Sequence, residues 1–257
     1  MGQAVLRTAP TFPKLIITGA IASPGSLALG RDAGEVAGIG SMNLPVTSDL
    51  AGVLAGADVV LDFSSAAATR GTLEACRAAR KALLLGTTGL GAELESDLEA
   101  TARVVPLLVA PNASVGAALL TELTAVAARA LPASFDVDVL ELHHRLKADA
   151  PSGTALALAR AAGESRGLPV PAVSGTPGQP AGPRPEGRIG LASLRAGDIV
   201  GEHTVLFCGA GEEVVLTHRA HDRGIFARGA LSAALWLSSR APGRYNMRDF
   251  LSIKTEA

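Results

Sequence analysis

Short apolar segments alternate with longer helical segments over the first 112 residues of this chain. The apolar runs 59–63, 82–86 and 104–110 each end in small or polar residues. The stretches 66–80 and 92–103 between them have the composition of helices. Alternation of this kind is typical of a parallel sheet with helices on both faces. The sequence therefore predicts an α/β domain with a Rossmann-like parallel sheet.

The carboxyl ends of these predicted strands carry residues suited to ligand binding. In open parallel sheets, ligands bind just beyond those ends. Here the ends fall at 62–65, 86–89 and 110–114, which are rich in Gly, Ser, Thr and Asn. Such residues let a ligand approach the backbone and offer small hydrogen-bonding groups. Taken alone, the three segments are more typical of ordinary loops than of a binding site.

The most informative segment is 141–155, which reads Glu-Leu-His-His-Arg-Leu-Lys-Ala-Asp-Ala-Pro-Ser-Gly-Thr-Ala. Residues 135–141 before it alternate between apolar and polar, which predicts a half-buried strand. Residues 156–164 after it are strong helix formers, so we expect a helix that begins near Pro151 and Ser152. The cationic side chains therefore lie between the end of a strand and the start of a helix.

This junction suits an anion. The first amides of a helix lack intrahelical partners and carry a partial positive charge, and nearby lysine and arginine side chains add to it. A histidine in the same place can transfer a proton near neutral pH. Each of these residues alone would more often be structural, but together they predict a carboxylate or phosphate site with acid–base chemistry.

The second half of the chain has a different character. We expect helices at 115–131, 152–166 and 224–237, strands at 199–208 and 214–219 with a turn at 209–211, and a mobile Gly- and Pro-rich loop at 173–188. Strands clustered after helices predict an open and mostly antiparallel sheet.

Composition excludes several classes of partner. A net charge of −1 and only 3% aromatic residues argue against binding to nucleic acid or to an acidic membrane surface. No apolar run reaches the length of a transmembrane helix. Cys76 and Cys208 are too few for a disulfide framework, so we expect free thiols and a cytoplasmic location.

The segment 141–155 resembles the signature of the dihydrodipicolinate reductase family, Glu-x-His-His-x-x-Lys-x-Asp-Ala-Pro-Ser-Gly-Thr-Ala. The resemblance continues through 193–204, 216–220 and 226–230 and covers essentially the whole chain. It implies a dinucleotide-binding domain formed by residues 1–114 with 224–257. It also implies an α+β domain at 115–223, whose open mixed sheet binds substrate and pairs with copies of itself in a homotetramer.

The resemblance also implies an activity. This would be the NAD(P)H-dependent reduction of 4-hydroxy-tetrahydrodipicolinate, or its dehydrated dihydro form, to tetrahydrodipicolinate on the route to diaminopimelate and lysine. His143 would be the general acid, and Lys147 a proton donor that also stabilises charge. The substrate carboxylate would be held by His144, Lys147, Gly153 and Thr154. The NADH or NADPH cofactor would contact Phe63, Gly86, Thr87, Thr88, Ala110, Pro111, Asn112 and Ala113. No metal is implied.

The chain departs from the family at its beginning. We find no G-x-G-x-x-G turn, which usually binds the cofactor diphosphate in this fold. The chain starts at Met1-Gly2 as if it entered the family pattern at the last Met-Gly, without the first strand and leading glycines. Either the start has been assigned at an internal methionine, or the chain is natural and its cofactor site is crippled.

A second departure concerns cofactor choice. The family's acidic residue after the second strand falls on Ala22, and the basic residue that can follow it falls on Ser23. Without a carboxylate to repel a 2′-phosphate, NADPH should be tolerated at least as well as NADH. Smaller departures at Ala113 and Leu146 leave the chemistry untouched.

Three alternatives remain open at the level of sequence. The first is a related reductase that acts on another small dicarboxylate. The second is a cofactor-deficient, catalytically silent protein that binds dicarboxylates or serves in assembly. The third is a metal site, although the five histidines lack a recognised ligand spacing. These histidines are His143, His144, His203, His218 and His221. Asp149 is expected to fix its loop rather than to act as a base.

Overall fold

The structure is a computed structural model that describes residues 1–168, 184 and 186–252. The chain divides into two compact units, one formed by Met1–Val115 with Gly224–Ala257 and the other by Gly116–Arg223. The helices are α1 (Gly2–Thr8), α2 (Ala33–Ala37), α3 (Leu50–Leu54), α4 (Ala66–Ala79), α5 (Glu95–Ala102), α6 (Val115–Ala130), α7 (Gly153–Arg166), α8 (Gly224–Leu237) and α9 (Met247–Leu251). The strands are β1 (Ala20–Ile21), β2 (Val46–Thr47), β3 (Val59–Asp62), β4 (Ala82–Leu85), β5 (Pro106–Val109), β6 (Asp136–His143), β7 (Ile189–Arg195), β8 (Gly201–Cys208), β9 (Glu213–Ala220) and β10 (Gly243–Tyr245).

A parallel four-stranded sheet with the order β10-β5-β4-β3 organises the first unit. Every residue of β4 is buried, as expected for a central parallel strand that is covered on both faces. Leu73 from α4 and Leu98 from α5 pack into the core beside it. The predicted parallel α/β domain is therefore confirmed.

The remaining parallel strands of this unit lie in a separate sheet. Strands β1 and β2 pair with each other, whereas β3 forms one end of the four-stranded sheet. Helix α1 begins at Gly2, and its Val5 packs with Ala227 and Leu231 of α8.

The second unit is built on a mixed sheet with the order β7-β6-β8-β9. Strands β6 and β7 are parallel, and the other two pairings are antiparallel. Strand β6 alternates between buried and more exposed residues, as predicted. Its buried face packs against α6 and α7 around Val139, Leu158 and Phe207. The helices therefore cover one face of this sheet.

Most predicted elements of the second half lie where expected, with two exceptions. Strand β7 was not predicted, because its Gly, Ala and Ser residues resemble a loop and its structure depends on pairing with β6. The predicted mobile loop at 173–188 lies largely outside the described residues. Among the helices that the structure describes, none is both long and apolar enough to cross a membrane. Cys76 and Cys208 are free thiols, as expected.

Candidate active site

The carboxyl end of β6 places a carboxylate and an imidazole on the same buried face. Glu141 and His143 are two residues apart, so their side chains point in the same direction. The Glu141 carboxylate is fully buried, and its Oε2 is hydrogen-bonded to His143 Nδ1. Its Oε1 accepts from Arg195 Nη2 at 2.9 Å and from the Ser152 amide at 3.3 Å. The strand, its neighbour β7 and the start of α7 thus converge on one carboxylate.

Hydrogen bonding decides the charge of this pair. Burial opposes ionisation of Glu141, but hydrogen bonds from Arg195, Ser193 and His143 outweigh it and hold the pKa of the carboxyl below its usual range. Burial lowers the pKa of His143, helped by the positive charges of Lys147 and Arg195, while Glu141 acts in the opposite direction. At neutral pH the pair therefore consists of a carboxylate and a neutral imidazole.

A second buried imidazole lies against the first. The rings of His143 and His203 meet edge to face with their centroids 5.1 Å apart. His203 Nε2 lies 3.1 Å from the Ser152 hydroxyl, which also accepts the Ala155 amide and so caps α7. Burial, reinforced by the neighbouring His143, lowers the pKa of His203 to about 4. His203 is therefore neutral in the folded protein and structural in character.

Lys147 is held by its own loop. Its Nζ lies 2.7 Å from one carboxylate oxygen of Asp149 and 2.8 Å from the other. The Lys147 hydrogen bond lowers the pKa of Asp149. Arg195 donates to the Asp149 carbonyl at 2.6 Å, which ties this loop to the same arginine that contacts Glu141. As expected from the sequence, Asp149 fixes its loop, because its carboxylate accepts hydrogen bonds from the Lys147 ammonium.

His144 points to a different surface from His143. It lines an open hollow of about 610 Å³ together with Arg145, Leu146, Gly197, Asp198, Val200 and Arg223. The guanidinium of Arg223 lies 3.1 Å from His144 Nε2. The hollow thus combines an imidazole and two arginines with the single carboxylate of Asp198, and this excess of cationic groups suits an anion.

The remaining predicted substrate-binding residues lie in the first turn of α7. Gly153 is exposed, and a Cβ added there would meet nothing within 4 Å, so the first turn of the helix faces open space. Thr154 is half-buried beside it. The predicted substrate residues thus occupy three places: His144 lines the hollow, Lys147 pairs with Asp149, and Gly153 with Thr154 begins the helix.

Sequence reasoning missed three side chains of this region. The two-residue spacing to His143 could have identified Glu141, because alternate residues of a strand share a face. Arg195 and Arg223 lie 52 and 80 residues beyond His143, and no local pattern connects them with it. Arg195 reaches the site because it is the β7 partner of His143 in the sheet.

In the first unit, the residues predicted to bind the nucleotide lie together at one edge of the parallel sheet. They are Phe63, Gly86, Thr87, Thr88, Ala110, Pro111, Asn112 and Ala113, which follow the carboxyl ends of the adjacent strands β3, β4 and β5. A Cβ added to Gly86 would lie 2.1 Å from the Phe63 ring, so only glycine allows this close packing. Asp62 Oδ2 is buried and has no hydrogen-bond partner among the described residues.

One group of side chains in the described part of the chain has ligand atoms close enough to hold a metal ion. Its members are Glu141, His143 and His203, whose ligand atoms lie within 4.8 Å of one another. The carboxylate of this group is already bonded to Arg195 and His143, and a cation would have to compete with that guanidinium. We therefore interpret the group as a hydrogen-bond network. His144, His218 and His221 do not belong to it.

The low pKa of His203 predicts a pH-dependent stability. An unfolded histidine titrates near its ordinary value of 6.5, whereas folded His203 titrates at about 4. The unfolded state therefore binds more protons as the pH falls through this window, and the protein loses stability there. From about pH 7 to about pH 5, we expect His203 to remove about 2 kcal/mol from the free energy of unfolding.

Urea unfolding at a series of pH values measures this loss. The variant His203→Gln keeps a polar atom near Ser152 but cannot titrate, so its stability should fall less steeply over the same window. Equal slopes for the two proteins would contradict the assignment. His218, whose pKa burial also lowers, remains in both proteins and contributes equally to each.

Family models and curated relatives match almost the entire chain. Residues 1–113 match the family model described as dihydrodipicolinate reductase, N-terminus, and residues 116–251 match the model of its C-terminus. A 4-hydroxy-tetrahydrodipicolinate reductase of Alkalilimnicola ehrlichii is 48% identical over 255 residues, covering 98% of this chain and 95% of that protein. One from Anaeromyxobacter dehalogenans is 46% identical, covering 99% of this chain and 94% of that protein.

Solved structures agree on the fold. The dipicolinate-bound dihydrodipicolinate reductase of Paenisporosarcina sp. TG-14 superposes with a TM-score of 0.76 at 24% identity, covering 97% of this chain and 94% of that one. An amine dehydrogenase from Mycobacterium smegmatis superposes with a TM-score of 0.59 at 15% identity, covering 96% of this chain and 92% of that one. At these identities the structures support the architecture alone.

Proposed function

Because this chain belongs to the dihydrodipicolinate reductase family, we propose that it reduces 4-hydroxy-tetrahydrodipicolinate to tetrahydrodipicolinate with NADH or NADPH. The observation that carries the proposal is the end of β6, where a neutral His143 bonded to Glu141 is followed four residues later by Lys147. These are the groups that a reduction followed by protonation requires. A related reductase acting on another small dicarboxylate would use the same groups, and substrate range separates the two.

In this proposal the second unit, taken as residues 115–223, binds the substrate. A carboxylate of the substrate would displace Asp149 from Lys147 and reach the first turn of α7 at Gly153 and Thr154. His144 would support the same or the second carboxylate from the cationic hollow. His143 would act as the general acid after Nε2 has taken up a proton from solvent, because its side chain retains 11% exposure and adjoins the only buried carboxylate of this strand.

The first unit, taken as residues 1–114 with 224–257, would bind the nucleotide. The loops after β3, β4 and β5 suit a nicotinamide, because they bring glycine, threonine and asparagine together beyond the carboxyl ends of three adjacent strands. When bound, NADH or NADPH would supply a hydride to the ring of the substrate.

The protein supplies binding and protons. Hydride addition leaves negative charge on the substrate ring, which the Lys147 ammonium would stabilise. A proton from His143 or Lys147 then completes the product, and a hydronium ion from solvent restores the proton to the donor and leaves as water. Ala22 follows the carboxyl end of β1 without offering a carboxylate, so nothing at this position repels the 2′-phosphate of NADPH.

Titration of this 257-residue chain with NADH and NADPH, with and without pyridine-2,6-dicarboxylate, tests the proposal. Binding of either nucleotide, together with nucleotide oxidation dependent on 4-hydroxy-tetrahydrodipicolinate, is the expected result. Binding of the dicarboxylate without either nucleotide would instead favour the catalytically silent binding protein.

We also propose that the chain forms a homotetramer in the cytoplasm. Among the described residues of the second unit, the sheet face opposite α6 and α7 exposes Leu194 by 52% and Val215 by 46%. Such a face is expected to be buried against copies of the same chain. The two free thiols are consistent with a reducing compartment.

A charge placed on this face is predicted to break the assembly. Val215→Glu adds a carboxylate where an apolar side chain would be buried, so the mass measured by light scattering should fall below that of four chains. Glu213→Gln, a change on the same face of β9 that adds no charge, is the control. A wild-type protein that is monomeric at micromolar concentration would refute the tetramer, whatever the variants do.

A further inference from the structure

The buried carboxylate of Glu141 receives donors from three directions. Arg195 Nη2 and the Ser152 amide both donate to Oε1, at 2.9 and 3.3 Å. Oε2 is left facing His143 Nδ1. Together with the Ser193 hydroxyl, these donors come from β7, from the start of α7 and from β6 itself, and Glu141 is 0% exposed. The carboxylate is therefore fixed in orientation by the fold.

This arrangement determines which nitrogen of His143 carries the proton. An ionised carboxylate can only accept hydrogen bonds. His143 must therefore donate from Nδ1, and in the neutral ring the lone pair lies on Nε2. His203 does not compete for Nδ1, because its Nε2 is bonded to Ser152 and its Nδ1 has no hydrogen-bond partner among the described residues.

The other side of the imidazole is left clear. Gly201 lies beside it, and a Cβ at this position would approach His143 Nε2 to 3.1 Å and Cδ2 to 3.4 Å. A side chain there would crowd the nitrogen that has the lone pair. The structure thus fixes one nitrogen of the ring and keeps the other accessible.

We infer that Glu141 is a positioning residue that holds the proton of neutral His143 on Nδ1 and leaves Nε2 as the nitrogen that exchanges protons with the substrate. The use made of that nitrogen rests on the proposed function. Nε2 takes a proton from a solvent hydronium ion, which leaves as water, and Glu141 stabilises the imidazolium that results. The Nε2–H bond then breaks as the proton bonds to the reduced substrate, and the electron pair of the broken bond stays on Nε2.

The variant Glu141→Gln tests this inference sharply, because Arg195 and Ser152 decide how the glutamine must lie. Both donate to the Oε1 position, so the amide carbonyl has to occupy it. The amide NH₂ then faces His143 Nδ1 and donates to it. The neutral ring must move its proton to Nε2, and an imidazolium would meet a donor instead of an acceptor.

Nitrogen NMR of the histidine rings reads the tautomer directly, without substrate or cofactor. The spectrum is recorded above the pH range in which histidines titrate, and a His143→Gln variant identifies the His143 signals. We expect the proton on Nδ1 in the wild type and on Nε2 in Glu141→Gln. We also expect kcat to fall at least tenfold in Glu141→Gln, while the Kd of pyridine-2,6-dicarboxylate changes less than twofold.

Glu202→Gln is the matched control. Glu202 lies on β8, on the opposite face of the same sheet, and pairs with Arg219 at 2.9 Å. This variant also removes a carboxylate from an arginine pair, but the His143 tautomer and kcat should stay as in the wild type. A spectrum that did not change between wild type and Glu141→Gln would overturn the inference.

Two further outcomes are decisive. A wild-type His143 with its proton on Nε2 overturns the inference even if Glu141→Gln fails to fold. A tautomer that shifts as expected in a chain that does not reduce 4-hydroxy-tetrahydrodipicolinate supports the positioning role and refutes the proposed function instead.

Discussion

Replacing Lys147 by alanine is expected to lower kcat by about a hundredfold to ten-thousandfold. The variant loses both the proton donor and the positive charge that would stabilise the reduced ring. Stability should change by less than about 1 kcal/mol, because the partner Asp149 is 61% exposed and exposed ion pairs contribute little. Steady-state kinetics and urea unfolding of the same preparation measure the two effects. A loss of stability that accounts for the lost activity would refute a catalytic role for Lys147.

A second substitution separates the charge of Lys147 from its proton. Lys147→Arg keeps a cation for the carboxylate, but a guanidinium does not release a proton in proteins. If Lys147 is a proton donor, Lys147→Arg should bind pyridine-2,6-dicarboxylate almost normally and still show a low kcat. If it is only an electrostatic contact, kcat should recover together with binding. Lys81→Ala, in the first unit, controls for the loss of a lysine as such.

Replacing Gly229 by alanine is expected to destabilise the protein by about 2–3 kcal/mol, as overpacking of a filled interior does. Gly229 is a buried residue inside α8, and a Cβ there would lie 1.9 Å from the Ala113 carbonyl oxygen. That oxygen belongs to backbone and cannot swing aside. Because Ala113 is also a predicted cofactor contact, nucleotide binding should weaken in the same variant.

Gly71 provides a matched comparison for Gly229. Each is the sixth residue of a 14-residue helix, but Gly71 in α4 is exposed, and a Cβ there would meet nothing within 4 Å. Alanine favours a helix interior over glycine by about 1 kcal/mol, so Gly71→Ala should stabilise the protein. Thermal unfolding of both variants should therefore show shifts of opposite sign. Stabilisation by Gly229→Ala would show that the loop after β5 can move away.

Local pattern was enough to predict most of the fold. The apolar run of β4, the alternation of β6 and the boundaries of α8 all follow from periods and propensities that span a few residues. Strand β7 escaped prediction because its residues have little strand character of their own. It exists because seven of its residues pair with β6, and that pairing joins segments far apart in the chain.

The residues of the candidate site also fall into two groups, those that the local sequence predicts and those that only the fold brings to the site. His143, Lys147 and the start of α7 could be predicted because they lie in one short segment with a recognisable composition. Arg195 could not, since its place beside Glu141 depends on the register that sets it opposite His143. The ion pair of Lys147 with Asp149 is local, and yet the sequence alone left Asp149 with a generic role in its loop. Sequence thus indicates the reacting groups, while the fold determines which groups orient them.

The order of the strands in the first unit has a consequence for how this protein is made. Strand β10, which pairs with β5, is synthesised more than 130 residues after it. During translation, the sheet of the first unit therefore cannot be completed until β10 has been synthesised. Residues 116–223 form their own unit from one continuous segment, which can fold as soon as it leaves the ribosome. Until the C-terminal segment has been synthesised, β5 and helix α1 lack their partners β10 and α8. We therefore expect the first unit to depend more on chaperones during synthesis than the second unit does.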